Sequence, residues 1–377
     1  MLAALRLRWL EARRRGGGWL LALTALAIAA AALWGGATVD GRFGLATDLA
    51  TLFTYALAVF FGAFPLAVDR ERKRAYLPAA SPATPVGWAF GNALAAALLT
   101  IVVGLVLFLA AGAAVAAGGG IDTYEVARVG NAAGTQWLAH PGADGARARP
   151  FGIVVPDDAH SLRFRPRVYV RAEDARGTAG FARVEVGGRP VEVVHDRTLV
   201  IPITPPRVEI RNVEPDYAVG IARDSIRALR AERPFLLNAV RAGAGTALAA
   251  GAMAALGVAA AAHVAAPVAA LLVALLVLLG GLKAPVEESL ADEARNAAAA
   301  AQEAAVAPRR ANPAARAVVQ GALAVVPDLA GASQTDRAAV GEWVSRRPMW
   351  NAALLCAAAL AVAAAVGGAG VFRRRTA

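Results

Sequence analysis

Five stretches of the chain, 16–39, 49–68, 75–121, 242–282 and 348–372, contain no Asp, Glu, Lys or Arg. A helix needs about 20 apolar residues, at 1.5 Å each, to cross a hydrocarbon core of roughly 30 Å, and every run reaches that length. As one helix, 242–282 would extend about 60 Å, twice the need, so it folds back. The turn is expected at Ala262-His263-Val264 to Pro267, because His263 is the only titratable residue in the run and Pro267 its only helix breaker. Spans near 242–261 and 265–282 result. Run 75–121 opens with Pro78, Ser81-Pro82 and Pro85 and turns continuously apolar afterwards, which gives one span near 90–117. The pattern therefore predicts six spans. Segments as uniformly aliphatic as Val102–Leu109 and Leu271–Leu279 have no polar face to show to water, which argues against a soluble helical protein. The first run is too long for the apolar region of a signal peptide and reads as a signal anchor.

The longest polar stretch, 122–235, changes period. Apolar and polar residues alternate through Ser161–Arg171, Phe181–Val186 and Pro206–Arg211, with shorter runs at Val191–Val194 and Thr198–Ile203. Gly187-Gly188 and Pro205-Pro206 are turn signals between them. Short strands at about ten-residue spacing predict an antiparallel sandwich. Residues 122–150, rich in Gly, Ala and Asp, are expected to be irregular. Residues 214–235 lose the alternation, and 221–229 read as an amphipathic helix leading into the membrane.

The predicted fold class is a membrane α-helical protein of six transmembrane helices with an inserted extracytoplasmic antiparallel β-sandwich. Its parts are a basic arm 1–17, spans one to three over 18–117, the sandwich 118–235, and spans four to six over 236–377 with an outer loop 283–347. Within that loop Glu287–Ala307 is helix-prone.

Charge orients the spans. The arm 1–15 carries net +4, the loop 69–74 net +2 and the tail 373–375 net +3, against +11 for the whole chain. With six spans all three clusters share one side, which the bias of basic residues makes the cytoplasm, in a cell's inner membrane with both termini inside. The first outer loop, with Asp40, Arg42 and Asp48, is acidic by one charge. Leu2, Leu5, Trp9 and Leu10, interleaved with Arg6, Arg8 and Arg13, suit a helix lying on the inner leaflet with its arginines on lipid phosphates. Nucleic-acid binding is not expected, because the excess charge sits in short flanks and the 17 Arg of 122–235 nearly balance its 15 acidic residues.

Motifs of chemistry are sparse. Lys73 and Lys283, the only lysines, follow Arg72 and Leu282, so there is no Walker A loop. No Gly-x-Ser-x-Gly elbow and no His-Glu-x-x-His helix occurs. Charge-free spans disfavour a proton relay or ion-coupled carrier. Asp157-Asp158, His140, His160 and His195 lack metal-ligand spacing and read as solvated loop residues. Trp137, Phe151 and Tyr169 are the few aromatics able to stack on a sugar. Cys356, the only cysteine, lies in the last span, so no intrachain disulfide can form. No catalytic, cofactor or metal site is expected on this chain.

The segment between spans two and three is the most distinctive: Asp69-Arg70-Glu71-Arg72-Lys73-Arg74, then Ser81-Pro82, Pro85 and Gly91-Asn92. Here the chain resembles the permease subunits of the ABC-2 type transporter family. In that family a charged start, a Ser/Thr-Pro turn and a Gly-Lys pair form a segment that docks into a separate ATPase. Glu71, Ser81, Pro82 and Gly91 stand at the matching places, whereas Lys73 replaces a glycine and Asn92 the lysine. The C-terminal third repeats the family's order with Val325-Val326-Pro327-Asp328-Leu329, Val340-Gly341-Glu342-Trp343-Val344-Ser345 and Phe372-Arg373-Arg374-Arg375.

The resemblance implies a permease dimer powered by a cytoplasmic ABC ATPase that carries the ATP and Mg. It makes 69–91 the coupling segment, with Arg70, Glu71, Arg72, Lys73, Arg74, Ser81, Pro82 and Gly91 as contact residues. The competing expectation is a non-transporting envelope protein whose sandwich recruits an outer partner for binding or assembly.

Overall fold

A computed structural model describes residues 10, 17–36, 38–71, 84–129, 136–138, 150–170, 181–195, 197–214, 216–221, 225–303, 321 and 326–369. The chain divides into a helical unit, Met1–Ile121 with Pro234–Ala377, and a β unit, Asp122–Arg233. The inserted domain is thus bounded at 122 and 233, a few residues inside the expected 118–235.

The helical unit is built from α1 (Gly17–Trp34), α2 (Val39–Glu71), α3 (Pro85–Ala117), α4 (Phe235–Ala261), α5 (Ala266–Glu303), two short helices α6 (Leu329–Ala332) and α7 (Thr335–Ala339), and α8 (Arg347–Val362), which runs into a π-helical turn Ala363–Gly367. Among the described residues five segments are long and apolar enough to cross a membrane: Val39–Pro65, Pro85–Ala117, Phe235–Ala261, Ala266–Lys283 and Arg347–Gly367. The apolar part of α1, Leu21–Trp34, is shorter. Large apolar side chains cover the outside of the unit: Leu271, Leu275 and Leu278 on α5, Leu23 and Leu26 on α1, and Leu354 on α8 are all exposed. Apolar surface on this scale suits lipid rather than water, and the protein is a membrane protein.

The turn between α4 and α5 falls at 262–265, as the sequence predicts, with Pro267 in the first turn of α5, where its missing N–H costs no hydrogen bond. Three boundaries differ from expectation. First, α3 starts at Pro85 and not near 90, because Thr84 caps it through Oγ1, which accepts from Gly87 N at 3.1 Å, and proline is well suited to a first helical position. Second, α2 starts ten residues before the predicted span, so Asp40, Arg42 and Asp48 lie in its first turns and not in a loop. Arg42 Nη1 donates to Leu33 O at 2.8 Å and satisfies a carbonyl that the end of α1 leaves open. Third, α5 continues through Pro285 to Glu303, so the helix expected over 287–307 is an extension of the span rather than a separate element. Of the basic arm 1–17 the described residues are Leu10 and Gly17, the first residue of α1.

Small residues decide how the helices meet. A Cβ on Gly62 of α2 would lie 2.6 Å from Ala254 O of α4, and one on Gly257 of α4 would lie 3.0 Å from Gly62 Cα. Gly243 faces the Phe108 ring of α3, and Gly251 faces Ile101. On α3, Gly104 faces Thr54 of α2 and Ala247 of α4. Helix α4 is buried on nearly all sides, with Ala247, Ala249, Ala250, Ala252, Met253, Ala254 and Ala255 fully enclosed. Close approach of this kind replaces the hydrophobic drive that lipid does not supply between helices.

The β unit contains three antiparallel sheets over one buried cluster. Its strands are β1 (Thr123–Arg128), β2 (Gln136–Trp137), β3 (Phe151–Val154), β4 (Ser161–Phe164), β5 (Arg167–Val170), β6 (Phe181–Val186), β7 (Arg189–Val194), β8 (Leu199–Pro202), β9 (Arg207–Asn212), β10 (Tyr217–Ile221) and β11 (Ile226–Arg233). The orders are β1-β11-β4-β8, β2-β10-β5 and β3-β9-β6-β7. Leu162, Phe164, Val168, Val184, Val193, Ile210 and Val219 form its centre. Gly187-Gly188, both with positive φ, turn the β6–β7 hairpin in register Val186↔Arg189, as expected of two glycines in a two-residue loop.

Two expectations for this unit are overturned. Residues 122–150 do contain strands, β1 and β2. The amphipathic helix over 221–229 is absent, because Tyr217–Ile221 and Ile226–Arg233 are strands. Strand β11 is central, between β1 and β4, and buries Ile226, Ala228 and Leu229. Its pairing with β1 shifts register between Tyr124↔Glu232 and Val126↔Leu229. A bulge of this type breaks the two-residue alternation, which is why the segment reads as non-strand, and cross-strand pairing overrides the helix preference of Ala, Leu, Arg and Glu.

Gly243→Ala is expected to destabilise the detergent-solubilised protein by about 1–3 kcal/mol through overpacking against Phe108. Gly281→Ala, with open space around its Cβ, should leave the melting temperature unchanged or raise it. A thermal melt of the two variants beside the unmodified chain separates the cases.

Candidate functional site

The end of the helical unit formed by the C-terminus of α2, the N-terminus of α3 and the α4–α5 turn carries what is described of the expected coupling segment. Helix α2 runs unbroken into Arg70 and Glu71. Arg72, Lys73, Arg74, Ser81 and Pro82 lie outside the described residues. Gly91 is buried in the second turn of α3. Asn92 is 5% exposed and donates Nδ2 to Trp88 O at 2.9 Å, one turn back in its own helix. His263 is an exposed residue of the α4–α5 turn, and its Nε2 lies 2.9 Å from Val366 O, which ties the turn to the π-turn after α8. Gly367 and Gly368 pack on Ala89 and Val86 of α3 at the same end.

The other end of α4 lies 27 residues away, about 40 Å along the helix. There two of the three C-terminal motifs fold into one wedge, while Phe372-Arg373-Arg374-Arg375 and Val325 lie outside the described residues. Lys283 Nζ donates to Val326 O at 3.0 Å and marks where the wedge meets α5. Asp328 caps α6, its Oδ1 accepting from Gly331 N at 2.7 Å. Leu329 sits on Gly280 of α5, and the Ala332 carbonyl rests on Gly245 of α4. Gly341, at φ 71°, turns the chain after α7.

Asn238, fully buried in the first turn of α4, then grips the returning strand. Its Nδ2 donates to Glu342 O and its Oδ1 accepts from Val344 N, both at 2.8 Å. One turn on, the Arg241 guanidinium lies over the Trp343 ring, 4.4 Å from its centroid.

Sequence reading placed both motifs but not the residues that receive them. Asn238 and Arg241 precede the charge-free run and carry no motif of their own. An amide in the first turn of an apolar helix is the available signal, because such a group must find partners. Inside the spans Thr47, Thr54 and Thr100 donate to backbone carbonyls one turn back, at 2.9, 2.6 and 2.9 Å. The hydroxyls of Thr51, Tyr55 and Thr246 have no hydrogen-bond partner among the described residues.

In the β unit the titratable candidates are dispersed. Asp158 accepts from Arg230 Nε at 2.7 Å, and this bond holds its carboxyl below the usual range. His160 packs beside Tyr124, with ring centres 5.4 Å apart. The His195 ring meets Tyr169 edge-on, and its Nδ1 lies 2.8 Å from Val168 O. His140 lies outside the described residues. Among the described residues no three His, Cys, Asp or Glu side chains gather as metal ligands. Trp137 lies edge-on to Tyr169, the ring centres 5.9 Å apart. Cys356 is buried in α8 as a free thiol.

Comparison with protein-family models, with curated proteins and with solved structures finds no match.

Asn238→Ala leaves a buried carbonyl and a buried N–H without partners, at a cost of about 1–3 kcal/mol each. The variant should melt well below the unmodified chain. Arg241→Ala, which removes the contact with the Trp343 ring, should fall by less, with roughly 1 kcal/mol from that contact. The same melts read both, and equal losses would contradict the clamp as the dominant contact.

Proposed function

We propose that this chain is the permease subunit of an ABC-2-like transporter, with six spans counting α1, and that a separate ATPase docks on 69–91. The observation that carries the reading is the way helices bracket this segment. Helix α2 continues from a span through Pro65 to Glu71, and α3 begins at Pro85, so only 72–83 separates two membrane helices. A push on a segment joined to a helix at both ends is passed to both spans, which is what coupling to ATP hydrolysis requires. The folding of two of the three C-terminal motifs into one wedge supports the same family resemblance, because it explains why they occur together and in that order.

In this proposal the charged flanks and the 69–91 segment face the cytoplasm, while the β unit and the wedge face outward. ATP and Mg belong to the ATPase, and two permeases form the path. ATP-dependent contacts favour one of two packings of the spans, and nucleotide turnover alternates them. An envelope-anchoring role for the β unit is the reading that remains if no ATPase associates.

Two measurements test this. Replacing 69–91 by a Gly/Ser linker should abolish co-purification of an ATPase, while the Asn238→Ala variant, altered at the opposite end, should retain it. Absence of any ATPase from the unmodified chain defeats the transporter reading. On a Cys356→Ala background, Thr198→Cys should react with a membrane-impermeant maleimide in intact spheroplasts, and Arg14→Cys only after permeabilisation. The reverse labelling would overturn the orientation.

A further inference from the structure

The β unit has a cleft of about 380 Å³ where the end of β8 and the start of β9 pass the β6–β7 hairpin. Pro202 and Ile203 give it an apolar wall beside the backbone of the core residues Val186 and Val208, while Arg189 and Arg207 stand at its rim. Both arginines are exposed, and neither forms an ion pair among the described residues. Glu209, the one acidic residue lining the cleft, is bound by Arg211 at 2.8 Å, which leaves the two guanidiniums to set its charge.

Arg207 reaches across to β3. Its guanidinium lies against Gly152 of β3, so that a Cβ at 152 would come within 3.2 Å of Nη2 and 3.4 Å of Nε. Only glycine leaves room for the guanidinium to lie there without shifting. Thr204 and the Gly187-Gly188 turn complete the rim with small polar groups.

We propose that this cleft binds a phosphate monoester or carboxylate carried on a short apolar chain. Guanidiniums match such anions through paired N–H donors, and the apolar wall takes the carbon chain. The volume falls in the range of small-ligand sites, in which a few polar groups orient a mostly apolar ligand. The site is independent of the transporter reading, because it rests on the β unit alone and needs no ATPase.

The test uses the full chain in phosphatidylcholine nanodiscs, titrated calorimetrically with n-hexyl phosphate. Saturable binding at one site per chain is expected, with inorganic phosphate and hexanol each at least tenfold weaker. The double variant R189Q/R207Q should weaken hexyl phosphate tenfold or more. Gly152→Ala should weaken it less, by shifting Arg207. Circular dichroism confirms that each variant keeps its β content.

No saturable binding, equal binding by the double variant, or hexanol binding as tightly as hexyl phosphate would overturn the proposal. Repeating the titration in nanodiscs containing phosphatidic acid separates the sources. Suppressed hexyl phosphate binding identifies a lipid headgroup as the occupant, and unchanged binding identifies a soluble ester.

Discussion

The helical unit depends on how closely backbones can approach α4. Lipid offers no hydrophobic drive between helices, so their association rests on van der Waals contact and satisfied polar groups. Gly62 against Ala254, Gly257 against Gly62 and Gly243 under the Phe108 ring bring α2 and α3 onto α4 at distances that a single added methyl would violate. Once α4 is enclosed, its neighbours turn their large leucines outward, as Leu271 and Leu354 show. The division between an alanine-rich inside and a leucine-rich outside follows from this one steric condition.

The same helix carries different structures at its two ends. At one, the α4–α5 turn is tied by His263 to the π-turn, and α3 begins beside it under the Thr84 cap. At the other, Asn238 and Gly245 receive the 326–345 wedge. Contacts along α4 therefore link the region proposed to receive a push to the region that closes the opposite end of the bundle. A close-packed bundle has few intermediate arrangements, so such a connection passes motion as discrete repacking. Among the described residues of this unit the buried polar atoms with no hydrogen-bond partner are the hydroxyls of Thr51, Tyr55 and Thr246, Arg42 Nε and Gln334 Oε1.

The β unit follows a separate logic. Its strands are short, its core is continuous across three sheets, and charged residues far apart in the chain pair at its surface, as Asp158 with Arg230 and Glu125 with Arg233 do. Exposed pairs of this type add little stability. Around Gly187-Gly188 the edge of that core meets a cleft with Arg189 and Arg207 at its rim.

By itself the sequence determined where five membrane-length helices lie, where the α4–α5 turn falls, that a β domain is inserted, and that Gly187-Gly188 reverses the chain. Each of these rests on a local rule: the length of an apolar run, the position of a proline, an alternation or a glycine pair. Helix ends were legible only in part. Asp40, Arg42 and Asp48 look like a loop because charge is read residue by residue, yet the helix that holds them needs only satisfied backbone groups. Strand β11 was hidden because its bulge, visible only once β1 lies alongside, destroys the alternation that sequence reading relies on. Tertiary structure alone decided that Asn238 holds Val344 from 106 residues away and that Gly152 makes room for Arg207. Such pairings depend on which surfaces close packing brings together, and no local pattern in the chain encodes that.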